Sequence, residues 1–226
     1  MMTTTRLSRL SGLGLLVGAA AFILHIVWRS VLTAGPEPVV FAQGALWVPV
    51  NALGAAGAAL VLLGLPAFYV PTAGATGWPH LTGLVLLAGA WMFFGLFLSL
   101  YSLLVMPWLA DTAPALIAAS AALPKAFVVT FTASLVAWVA GALLCAMPFL
   151  RGRLGPRWVG YLLVGSALAL LAGHLVIAPG GPATNVAVNL LSNLGPVLLL
   201  SAAGYLGART WRGDPFTSHA ERHVPA

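Results

Sequence analysis

Residues 10–32 read LSGLGLLVGAAAFILHIVWRSVL, and this stretch decides the class of fold. A helix needs about 20 apolar residues to cross roughly 30 Å of hydrocarbon. This run supplies them, with only His25 and Arg29 ionisable and no proline to interrupt it. Runs of the same kind follow from Ala45 to Val70, Leu81 to Leu109, Ala126 to Leu150, Trp158 to Ala178 and Ala183 to Leu206. The expectation is an all-α integral membrane bundle of about six transmembrane helices.

Composition excludes a soluble domain. Only 6% of the 226 residues are charged and 61% are hydrophobic, and the mean hydropathy is +1.01. An average soluble domain carries roughly a quarter charged residues. Four acidic and ten basic side chains cannot cover a surface of this size, so lipid has to cover it and the bilayer is the first partner.

The net charge of +6 does not mark a nucleic-acid binder, because the basic residues form no patch with interleaved aromatics. Arg6 and Arg9 precede the first span, Arg151, Arg153 and Arg157 lie between the fourth and fifth, and Arg209, Arg212 and Arg222 follow the sixth. With both termini in the cytoplasm, those eight lie inside, and only Arg29 and Lys125 lie outside. That is the positive-inside bias, and it predicts an N-in, C-in topology. Residues 1–208 are then a six-helix transmembrane domain and 209–226 a short polar cytoplasmic tail.

Prolines and glycines punctuate the chain at Gly35 to Pro38, Pro71 to Pro79 and Pro179 to Pro182, where neither residue favours a continuing helix. Ala113 to Leu123 suits a short helix on the membrane surface, with Pro124 opening the fourth span. Arg6 and Arg9 before an apolar run resemble a signal peptide, but the run continues past Ala21 through Phe22, Ile23 and Leu24, which favours an uncleaved first helix. The lone Cys145 allows no disulfide within one chain. Pro79 to Gly83 and Pro156 to Gly160 open spans three and five alike, which suggests a repeated hairpin. Trp47, Trp78, Trp91, Trp108, Trp158 and Trp211 fall mostly near helix ends, where indoles anchor helices at the headgroups.

Polar side chains inside spans are costly and are the first place to look for function. In the N-in topology they concentrate in the outer half: His25 and Arg29 in helix one, Asn51 in helix two, Ser99, Tyr101 and Ser102 in helix three, His174 in helix five, and Asn185 and Asn189 in helix six. Gly14, Gly18, Ala21, His25 and Arg29 recur every three or four residues, which aligns the polar pair with a stripe of small residues where helices approach closely. We take His25, Arg29, Asn51, Tyr101, His174, Asn185 and Asn189 as the candidate ligand-binding set, in an outer cluster built chiefly from helices one, five and six. A small-molecule binding or transport module is the leading functional expectation.

Two other readings stand beside it. The same residues can simply hydrogen-bond helices together in a structural or accessory subunit, and His25 with His174 could be axial ligands of a b-type haem. No cofactor is specified by the sequence. Too few carboxylates, histidines or cysteines converge for a metal site, and no carboxylate lies within a span. Walker, HExxH, GxSxG and dinucleotide motifs are all lacking. Enzyme activity therefore has little support. Gly14 and Gly18 satisfy GxxxG, which serves a second copy, a partner membrane protein or intramolecular packing equally.

The segments Leu60-VLLGLPAF-Tyr69 and Arg153-LGPRWVGY-Leu162 resemble hairpin motifs of small uncharacterised multi-pass membrane proteins of high-GC bacteria. The resemblance covers about a third of the chain. It implies a bacterial cytoplasmic (inner) membrane location and carries no activity with it.

Overall fold

A computed structural model describes residues 4–33, 38–69, 73–118, 124–177 and 193–214. Within them every regular element is helical: α1 (Thr4–Leu32), α2 (Pro38–Gln43), α3 (Trp47–Gly64), α4 (Pro66–Tyr69), α5 (Ala73–Trp91), α6 (Leu98–Leu100), α7 (Met106–Thr112), α8 (Pro114–Ala118), α9 (Lys125–Leu150), α10 (Arg157–Ile177) and α11 (Leu194–Arg212). Two π-helical segments, Met92–Phe97 and Tyr101–Val105, join α5 through α6 to α7.

Four stretches are long and apolar enough to cross a membrane: Arg6–Leu32, Trp47–Tyr69, Thr76–Thr112 and Lys125–Leu150. Arg157–Gly173 is a shorter apolar stretch. Large apolar side chains on the outer faces, such as Leu63, Val85, Val129 and Leu168, are more than 60% exposed. In water such a surface would aggregate; against lipid it is the normal exterior. The Ala183 to Ser192 part of the predicted sixth span lies outside the described residues.

The long helices close into a ring. α1 packs between α3 and α11, α11 against α10, α10 against α9 and α9 against α5, while the first π segment returns to α3. Glycine brings the backbones together. A Cβ on Gly18 would stand 2.8 Å from the Gly57 carbonyl oxygen, and one on Gly207 would stand 2.6 Å from that of Gly12. The small-residue stripe of α1 therefore does what its spacing predicts, with α3 as its partner. α9 packs along α10, and α3 meets the third span chiefly through its π segments and α6 rather than through α5.

The first and last described helices meet at one end. Thr210 Oγ1 donates to Leu206 O at 2.9 Å and reaches Ala67 O at 3.4 Å. Arg9 reaches to within 3.2 Å of the Cβ position of Gly213, and Phe68 lies between His80 and Phe149. The helix ends carrying Arg6, Arg9, Arg151, Arg153, Arg157, Arg209 and Arg212 are thus gathered on one side, and Lys125 and Arg29 mark the other. α11 extends past the predicted end of its span to Arg212, because two arginines complement the dipole of its last turn and Gly213 closes it at φ 78°.

Trp91 and Trp138 are buried mid-bundle rather than at the headgroups. Their rings lie 5.8 Å apart and link Phe22 on α1, at 4.8 Å from Trp91, to α9. Each indole has an acceptor, Ala58 O for Trp91 and Ser166 Oγ for Trp138. Below them a cavity of about 30 Å³ is lined by apolar side chains including Val61, Phe68, Leu87, Leu163 and Leu200. A cavity so lined stays dry.

Candidate functional site at the Arg29 end

The site grows from the α1–α3 contact. Gly54 has no side chain, and the His25 ring occupies the space: a Cβ there would stand 2.7 Å from Nδ1. The ring can then reach the backbone, and His25 Nδ1 donates to Val50 O at 2.9 Å. A carbonyl only accepts, so this bond places the proton of a neutral ring on Nδ1.

One turn outward on each helix, the Arg29 guanidinium lies over the Trp47 ring, 5.9 Å from its centroid. Trp47, 3% exposed, donates its indole N–H to Ser102 O at 2.7 Å. That carbonyl is available for a reason visible in the third span. In the second π segment the Met106 N–H turns to Tyr101 O and bypasses Ser102, and the next residue, Pro107, has no N–H.

Asn51 is fully buried and donates from Nδ2 to Trp47 O at 2.8 Å. Since Trp47 O can only accept, the amide orientation is fixed and Oδ1 is left as an acceptor. Among the described residues it has no hydrogen-bond partner, and neither has Arg29 Nε; both atoms are buried. Arg29 Nη2 reaches Ser102 Oγ at 3.4 Å, too long for a good hydrogen bond. Outside this group, Gln43 Nε2 donates to Ala110 O at 3.3 Å, tying α2 to α7 as a cap over this end.

Of the seven residues taken from sequence, the structure brings together His25, Arg29 and Asn51. Tyr101 stands apart: it is 37% exposed and stacks on Phe97, with centroids 6.4 Å apart. Ser99 and Ser102, three residues apart, share the inward face, and Tyr101 lies about 200° round from Ser99. Asn185, Asn189 and the side chain of His174 lie outside the described residues. The described part of the cluster is built from α1, α3 and the third span, and the contributions expected from helices five and six lie outside the described residues.

Two participants escape sequence reasoning. Trp47 reads there as a headgroup anchor, and Ser102 is one polar residue among several. Pro107, five residues after Ser102, is the only signal of a freed carbonyl. A third residue of note, His80, sits at the opposite end, 1% exposed. It stacks on Phe68 with centroids 5.4 Å apart, and among the described residues neither ring nitrogen has a partner. Among the described residues no group of three His, Cys, Asp or Glu gathers to hold a metal. No family model matches the chain, nor does any curated protein or solved structure.

Proposed function

We propose that this is a multi-pass protein of a bacterial inner membrane, with six crossings and both termini inside, and that the Arg29 end binds a small molecule. The orientation is supported by the arginine-rich side of the bundle, which matches the positive-inside bias. The binding reading is carried by one observation: beside Trp47, a donor at Arg29 Nε and an acceptor at Asn51 Oδ1 are both buried without partners among the described residues. Buried polar atoms are costly when unpaired, and a ligand offering an acceptor and a donor would satisfy both.

Binding is favoured over open passage, because the bundle axis below the site is filled by Phe22, Trp91 and Trp138 and by a dry apolar cavity. Transport would need these rings to move apart.

The test is native mass spectrometry of the protein released from mild detergent, with R29Q and N51A alongside. A discrete adduct on the 23.3 kDa chain, lost in either variant, is the expected result. A structural or accessory subunit is the second reading, favoured by the bonds from His25 and Trp47 that tie helices together. A bare chain in every sample, with both variants less stable, would establish that reading instead.

A further inference from the structure

The geometry points to the chemical class of the ligand: an oxyanion, a carboxylate or phosphate group, held on the side edge of the Arg29 guanidinium with the Ser102 hydroxyl as a third donor. This rests on the Arg29 end being a ligand site.

Arginine stays protonated in proteins and presents its donors in a rigid planar fork. Nε–H and one Nη2–H lie on the same edge of that fork and match the two oxygens of a carboxylate or phosphate. In this chain that edge is vacant: Nε is buried without a partner, and Nη2 has only Ser102 Oγ at 3.4 Å. The hydroxyl can turn to donate to the same anion. One face of the guanidinium lies over Trp47, and the unpartnered Nε marks the side edge as the place for a ligand.

Charge selects the class. A guanidinium inside a span is costly without a countercharge, and among the described residues no carboxylate pairs with Arg29; Asp111, at the same end of the bundle, is exposed. A cation would add repulsion, and a neutral ligand would leave the charge uncompensated. Glu37, between α1 and α2 in the sequence, lies outside the described residues, and the experiment includes it.

The test uses the full-length protein in nanodiscs of zwitterionic phosphatidylcholine, with thermal unfolding followed against inorganic phosphate, acetate and the neutral isostere acetamide. A parallel arm replaces part of the lipid with phosphatidylglycerol. Saturable stabilisation by at least one anion and none by acetamide is expected. R29Q should abolish it, and S102A should weaken apparent affinity about ten- to hundredfold, as for loss of one charge-assisted hydrogen bond. R29K keeps the charge but loses the edge and should bind more weakly than wild type.

Stabilisation by phosphatidylglycerol that phosphate competes away would identify the source as a lipid headgroup; stabilisation by soluble anions alone would identify a free ligand. Either result supports the oxyanion. Equal responses to acetamide and acetate, no Arg29-dependent response to any anion, or anion binding that emerges only in E37Q would overturn it. The two ideas fail separately: a native adduct lost in N51A but kept in R29Q would preserve the site and reject the oxyanion.

Discussion

The indole of Trp47 bonds the carbonyl oxygen of Ser102 at 2.7 Å, across 55 residues of sequence. This contact fastens α3 to the third span at the point where that span departs from α-helical geometry. Because Met106 N–H is directed to Tyr101 O and Pro107 has none, no other backbone donor in that turn can serve Ser102. Trp47→Phe should keep most of the packing and leave a buried carbonyl unpaired. The expected cost is about 1–3 kcal/mol, read as a lower midpoint in detergent unfolding. An unchanged midpoint would mean that the bond does not hold the π turn.

Gly54 is where the His25 ring lies, so a methyl group there has nowhere to go. Gly54→Ala should destabilise the bundle by about 1–3 kcal/mol through overpacking. Adding His25→Ala clears the space, so the double variant should be more stable than the sum of the two single effects implies. Strict additivity in that cycle would show that the ring and the glycine do not share the space.

The sequence makes much of this visible, and the limit has a physical cause. Long apolar runs announce the helices, Pro79 marks the true start of its helix just after Gly77 turns at φ 65°, and the α1 stripe of small residues finds its partner helix. Membrane depth alone, however, does not say which way a polar side chain faces. Ser99 and Ser102, three residues apart, share a face and are each 3% exposed, whereas Tyr101, about 200° round from Ser99, is 37% exposed, so polarity and depth without facing put Tyr101 in the wrong set. Trp47 was opaque for a related reason: its partner is a backbone carbonyl, and carbonyls leave no trace in composition.

His80 poses the opposite problem to Trp47, a buried group with nothing to bond. A neutral imidazole carries one N–H and one lone pair on its two nitrogens, and among the described residues both nitrogens lack partners. His80→Phe would keep a ring stacked on Phe68, and His80→Leu would fill much of the same volume. At least one should raise stability by about 1–3 kcal/mol, the cost of the unsatisfied atoms it removes. A fall in both would show that His80 has a partner in the membrane-bound protein, such as a water.

The orientation can be read with thiol chemistry because Cys145, the only cysteine, is 0% exposed. Wild-type protein in intact cells should therefore not react with a membrane-impermeant maleimide, and that silence provides the background for single-cysteine variants. Asp111 and Asp214 are both exposed; Asp111 ends the third span beside the Arg29 cap, and Asp214 follows α11 on the arginine-rich side. Asp111→Cys should label in intact cells, and Asp214→Cys only after permeabilisation. Reversal of the pair would place the arginines outside against the positive-inside bias and turn the Arg29 end toward the cytoplasm. Labelling of both from one side would break the alternation of helices on which a six-crossing bundle depends.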